Sequence, residues 1–148
     1  MRLILLLTAL GCCLGAGLPT AQAQADSVSL RTILVSASRE PGQTDRRLAR
    51  YESNLRRILR FETFQQLGTG NGRAAVPGEA RISIGQGHTL AFTTEPSRDD
   101  RIRVEITWSA GGSDLMRTGL VLRPGVPAVL GGPARNNDEV YAVLVIAE

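Results

Sequence analysis

The chain has 148 residues, seventeen basic and fourteen acidic side chains, and a formal net charge of +3. All seventeen basic residues are arginine, and the chain has one histidine and two cysteines. Aromatic residues make up only 4%, which disfavours a sugar- or base-stacking surface, and so small a charge excess predicts no nucleic-acid partner.

Residues 1–25 have the pattern of a secretory signal peptide. One arginine is followed by an apolar run over residues 3–18, a proline and several small residues. The small residues predict cleavage after Ala23 or Ala25, and therefore an exported protein of the periplasm or the extracellular space. The apolar run is shorter than the ~20 residues of a membrane-spanning helix, so no transmembrane anchor is expected after cleavage.

Two alternatives to a cleaved signal remain open, a retained membrane anchor and a lipoprotein modified at Cys12 or Cys13. Cleavage would remove both cysteines and leave residues 26–148 with no disulfide and no thiol. That length is typical of a single domain, which can bury about two-thirds of its unfolded surface without covalent cross-links.

The first predicted element of this domain is a buried strand. The stretch "VSLRTILVSAS", residues 28–38, is rich in β-branched residues and apolar on both faces. Pro41 and Gly42 end it, and Thr44 or Asp45 is a plausible N-cap for the element that follows.

An amphipathic helix is predicted near residues 45–60. On a wheel of about 100° per residue, five apolar side chains form one stripe: Leu48, Tyr51, Leu55, Ile58 and Leu59. Four arginines lie on the other side, namely Arg46, Arg50, Arg57 and Arg60. They are interpreted either as an ordinary solvated face or as a surface that contacts an anion or a partner. Arginines in the first helical turn oppose the helix dipole, which favours the second interpretation.

The rest of the chain predicts short strands joined by glycine and proline turns. The stretch "GTGNG", residues 68–72, is interpreted as a hairpin loop. "RIRVEITWS" alternates strictly and predicts a half-buried antiparallel strand, whereas the closing "VYAVLVIA" predicts a central one. The pattern indicates an α+β, mainly β fold: an antiparallel β-sandwich or open barrel with one amphipathic helix packed on a sheet.

Few side chains are suited to catalysis. His88 is the single histidine and is expected to cap a turn or to face solvent, and Trp108 is expected in the core. No lysine is present, and no carboxylate spacing matches a calcium loop. No catalytic, cofactor-binding or metal-binding residue is therefore predicted.

Three stretches, "ILVSAS", "DRRLARYESNLRRILRFETFQQL" and "LRPGVPAVLGGPARNNDEVYAVLVIA", resemble a group of small uncharacterised exported proteins of Gram-negative bacteria. The resemblance implies a signal peptide and a compact β-rich domain. Separately, residues 124–133 are similar to the strand-turn segment near the end of secretin channel domains. Pro133 stands where secretins usually have an apolar residue, so no channel role is expected.

Two classes of function follow. The first is a non-enzymatic envelope protein that binds a partner protein or an anionic envelope surface, or that assembles through its sheet edges. The second is a small carbohydrate-binding or hydrolase-like domain that uses carboxylates and Trp108.

Overall fold

The structure is a computed structural model that describes residues 26–148. The predicted signal peptide, with both cysteines, lies outside the described residues. Within them are one α-helix, α1, and eight strands: β1 Ser27–Ser38, α1 Glu52–Leu59, β2 Thr63–Ala75, β3 Gly78–Gly85, β4 His88–Glu95, β5 Ile102–Ala110, β6 Ser113–Leu122, β7 Ala128–Ala134 and β8 Glu139–Ala147.

The strands form two four-stranded antiparallel sheets. Sheet A has the order β2-β1-β8-β7, and sheet B has the order β3-β4-β5-β6. The two sheets pack face to face around the main core, and α1 covers the outer face of sheet A. The α+β, mainly β sandwich predicted from the sequence is confirmed.

Both faces of the two central strands of sheet A are buried, which explains their apolar sequences. On β1, Leu30 and Leu34 face sheet B, whereas Ile33 and Val35 face the helix. β8 repeats the pattern between β1 and β7, as the apolar closing stretch predicted. β5 in sheet B has one inward face only, so its apolar and polar residues alternate.

The helical segment is shorter than the predicted 45–60. A 3-10 turn, Arg46–Leu48, comes first, and α1 begins only at Glu52. Asp45 caps the 3-10 turn by accepting a hydrogen bond from the backbone N–H of Arg47. α1 ends at Leu59, and the next residue, Arg60, has a left-handed φ of 58°. α1 has an acidic residue in its first turn and arginines in its last, which suits the helix dipole. The dipole argument for a surface of arginines that contacts an anion therefore does not apply.

The prediction of a hairpin loop at residues 68–72 is wrong, because these residues lie within β2. A Cβ on Gly68 would overlap the carbonyl oxygen of Ile84, and a Cβ on Gly70 or Gly72 would overlap Ile82. The glycines let β2 approach β3 closely where the two sheets meet. Close packing against β3, the next strand of the chain, and no turn, therefore explains this glycine-rich stretch.

Candidate functional site

The four arginines predicted to form a contact surface are all exposed. Arg46 lies in the 3-10 turn, Arg50 in the turn before α1, Arg57 in the last turn of α1, and Arg60 at its C-terminal end. The helical wheel that placed them on one face assumed one continuous helix. Because α1 begins only after Arg46 and Arg50, that grouping does not hold for these two residues. The four arginines are called the arginine surface below.

None of these four arginines forms an ion pair within residues 26–148. Arg57 donates a hydrogen bond of 2.8 Å to the amide oxygen of Asn54. The guanidinium of Arg50 lies 5.8 Å from the centre of the Tyr51 ring. These contacts orient the side chains without neutralising their charges, so the charges remain open to an anionic partner.

The other two arginines of this segment, Arg47 and Arg56, are paired. Arg47 forms an ion pair of 2.6 Å with Asp45. The side-chain hydrogen bond from Arg47, together with its backbone N–H, lowers the pKa of Asp45 to about 2. Arg56 binds Glu52 at 3.0 Å and Glu62 at 2.9 Å. The segment therefore contains both neutralised and unneutralised arginines.

One apolar side chain of the segment also faces solvent. Ile58, which the sequence placed on the buried stripe, is 47% exposed, whereas Leu48, Tyr51 and Leu55 are buried against sheet A. Since Ile58 follows Arg57, a charged and an apolar group are exposed side by side at the end of α1.

His88 was expected to cap a turn or face solvent, and this expectation is wrong. The side chain is 4% exposed, and its Nδ1 accepts a hydrogen bond of 2.9 Å from Nε1 of Trp108. The Tyr141 ring lies against it, with 4.6 Å between ring centres. Burial lowers the pKa of His88, which favours the neutral ring that this bond requires. No local pattern signals this contact, because it brings together side chains of three different strands, β4, β5 and β8.

A small polar network lies next to Tyr141. The Arg135 guanidinium lies 5.9 Å from the centre of the Tyr141 ring and donates a bond of 3.0 Å to Glu139. The hydroxyl of Ser36, a buried residue, donates to the same carboxylate at 3.3 Å. Ser36 and His88 are not hydrogen-bonded to each other within residues 26–148, so this serine has no base of the kind a nucleophile needs.

Trp108 is fully buried, as the alternation of its strand predicted. Its six-membered ring packs against the backbone of β7 at Gly132, where a Cβ would overlap the ring. The indole N–H is hydrogen-bonded to His88, and the ring packs in the core. Trp108 therefore offers no exposed face on which a sugar ring could stack.

Within residues 26–148, no three His, Cys, Asp or Glu side chains are placed to hold a metal ion. No helix of that part of the chain is long and apolar enough to cross a membrane. Comparison with protein-family models, curated proteins and solved structures found no match. The fold and the site thus define a mainly β sandwich domain with an exposed arginine surface, and its function is inferred from its own residues.

Proposed function

We propose that this chain is an exported, non-enzymatic binding domain of the bacterial cell envelope. It contacts an anionic envelope surface through Arg46, Arg50, Arg57 and Arg60. The observation that carries the proposal is the contrast within one segment: these four exposed arginines have no carboxylate partner among residues 26–148, whereas Arg47 and Arg56 do.

The chemistry of these groups favours phosphate. A guanidinium is planar, remains charged at every physiological pH and can form two parallel hydrogen bonds to a phosphate. The exposed Ile58 adds an apolar contact beside Arg57, which suits the boundary between headgroups and acyl chains. The partner surface proposed is therefore the phosphate-bearing face of a lipid or lipopolysaccharide layer.

Export is part of this proposal and rests on the signal-peptide pattern of residues 1–25. Mass spectrometry of the protein recovered from a Gram-negative host should show a new N-terminus between Gln24 and Ser27. An intact Met1, or a lipid on Cys12 or Cys13, would contradict cleavage at this site.

The absence of a reaction is also proposed, and the position of His88 supports it. The one imidazole of the chain is buried and accepts a hydrogen bond through Nδ1, so that nitrogen is not free to take a proton from a substrate. The alternative of a carbohydrate-binding or hydrolase-like domain loses its stacking platform, because Trp108 is buried.

The test compares binding to anionic vesicles between variants of equal net charge. The first variant changes Arg46, Arg50 and Arg57 to Gln. The control variant changes three other arginines, which are exposed and form no ion pair within the described part of the chain, to Gln: Arg98, Arg101 and Arg103.

Wild type and control should co-sediment with phosphatidylglycerol vesicles and with lipopolysaccharide at low salt, whereas the first variant should bind much less. Binding should weaken at physiological salt, because exposed charges are screened beyond about 8 Å there. Equal binding by all three proteins would show that these arginines form an ordinary solvated surface and do not contact the membrane. Equal loss in both variants would indicate net charge rather than this surface.

A further inference from the structure

The edge strand β6 is less protected than the other three edge strands. β6 ends sheet B and, among the described strands, pairs only with β5. The edges of β2 and β3 meet each other, and β7 carries Pro133 and a break in its pairing with β8. Natural sheets protect their edges with devices of this kind. β6 has no proline, and its single irregularity lies near the turn, which leaves residues 116–122 in regular register.

Apolar side chains are exposed along this strand. Four large apolar residues of the described chain are exposed, and Leu115 at 38% and Val121 at 54% belong to β6. A third, Val126 at 55%, lies in the loop that follows. On the face toward sheet A, Met116 and Leu120 are only half-buried, since sheet A does not fully cover this edge. Apolar groups are thus available on both faces of β6.

Gly119 lies at the centre of the regular part of β6, and nothing within residues 26–148 requires a glycine there. Its φ is not positive, and a Cβ would meet no atom within 4 Å. Gly132 in β7 differs, because a Cβ there would overlap Trp108. Glycine weakens the interior of a strand and often marks a place that another backbone approaches. The part of the chain that the structure describes supplies no such neighbour at Gly119.

Charge does not prevent another strand from approaching. Arg117 is the only charged side chain in residues 116–122, and its Nε donates a hydrogen bond to Glu105 on β5. The pair directs the guanidinium toward the interior of the sheet and away from the free edge. Over residues 116–122, the free edge of β6 therefore consists of apolar and uncharged polar residues, and its one charge, on Arg117, is compensated by Glu105.

We propose that β6 is an interface strand that pairs, antiparallel, with β6 of a second copy of this chain. The two-fold axis passes through Gly119, and the two four-stranded sheets B join into one continuous sheet. The inference is independent of the proposed membrane contact. It commits to a second copy, rather than a strand from another protein, because the sequence of β6 is complementary to itself.

The complementarity can be followed residue by residue. With Gly119 on the axis, Thr118 lies opposite Leu120 of the second copy, and Met116 lies opposite Leu122. Arg117 lies opposite Val121, so no like charges face each other. An axis at Arg117 would place two arginines opposite each other, and an axis at Thr118 would bring the irregular end of the strand into the ladder. Of these three registers, the one at Gly119 is both regular and free of direct charge repulsion.

The test is sedimentation equilibrium of the full chain as expressed and processed, over a range of protein concentrations. Wild type should show a monomer–dimer equilibrium. In Gly119→Lys the new side chain enters open space opposite Glu105, so the monomer should stay folded. At the axis, however, two lysines would face each other, and the dimer dissociation constant should rise by about tenfold or more.

Thr93→Lys is the matched control, because it adds the same charge to the same face, also opposite Glu105, but on the interior strand β4. It should leave dimerisation unchanged. Circular dichroism checks the fold of each variant, and Val121→Arg replaces Gly119→Lys if the latter unfolds. The proposal is overturned if wild type is monomeric throughout, if the edge variant dimerises like wild type, or if the control weakens the dimer equally.

Discussion

The indole N–H of Trp108 donates a hydrogen bond of 2.9 Å to Nδ1 of His88, and both side chains are buried. The bond joins β5 to the start of β4 at one end of the main core, where Tyr141 of β8 closes over the imidazole. Only a neutral imidazole has a free lone pair on Nδ1 to accept this bond. The stability of the core is therefore coupled to the protonation of one histidine.

Acid should destabilise the protein through His88. Burial lowers its pKa below the ordinary value of 6.5, so below pH 6.5 the unfolded chain takes up a proton that the folded chain resists. The contribution of His88 to stability is fully present above pH 6.5 and is lost as the pH falls toward the lowered pKa. The loss should be at most about 1.4 kcal/mol per pH unit, measured by urea unfolding with the single tryptophan as the fluorescent reporter.

His88→Gln separates this effect from the titration of carboxylates. The glutamine amide oxygen can accept a hydrogen bond from Trp108 but does not titrate in this range. The free-energy difference between wild type and His88→Gln should shift against wild type as the pH falls from 7 to 5. A difference that stays constant with pH would contradict the coupling.

Gly132→Ala should destabilise the fold by about 1–3 kcal/mol, because the added Cβ would overlap the Trp108 ring and force the core to shift. Gly119→Ala is the comparison, since a Cβ there meets no atom within 4 Å. At concentrations low enough to keep the chain monomeric, it should be neutral or slightly stabilising. Thermal unfolding measures both, and equal effects of the two substitutions would contradict the described packing.

Leu55→Ala should cost about 2–5 kcal/mol, because Leu55 is fully buried between α1 and the outer face of sheet A. Ile58→Ala, on the same helix, should cost much less, about 0.5 kcal/mol, since about half of that side chain is exposed. Chemical denaturation measures the free energy of unfolding of both variants. A large loss in Ile58→Ala would mean that α1 packs through a different face.

Arg47→Gln should raise the pKa of Asp45 from about 2 toward its ordinary value of 3.8. The return should be incomplete, because the backbone N–H of residue 47 still donates to the carboxylate and caps the 3-10 turn. The titration of the Asp45 carboxyl carbon, followed by NMR, measures this shift. An unchanged pKa would show that the guanidinium does not interact with Asp45 in solution.

The sequence predicted the fold most accurately for strands whose two faces keep the same surroundings along their length. β5 faces the core with every second residue, and β1 and β8 are covered on both sides, so their patterns of two-fold alternation and continuous apolar sequence could be read directly. The burial of Trp108 followed from the same alternation.

The predictions that were wrong depended on side-chain contacts between strands, which local sequence patterns do not show. Glycines in β2 signal a turn locally, but β3 explains them. His88 at the start of a strand indicates an exposed residue, but Trp108 and Tyr141 bury it. The free edge of β6 was equally hidden, because strand order decides which strand is an edge. The exposed arginines could be named from composition and periodicity, yet their ion-pair partners could not.

The arginine surface should be dispensable for folding. Replacing Arg46, Arg50 and Arg57 with Gln removes three exposed charges that have no carboxylate partner among residues 26–148, and it opens no cavity. Each change should shift the free energy of unfolding by no more than about 0.5 kcal/mol, as surface substitutions usually do. Arg56→Gln is the contrast, because it removes the ion pairs to Glu52 and Glu62 and should cost more than any one of the three. Urea denaturation at low and physiological salt measures both, and the cost of Arg56→Gln should shrink as salt screens its pairs. A triple variant that unfolds would show that these arginines stabilise the fold, and a loss of vesicle binding by that variant would then no longer report on a contact surface.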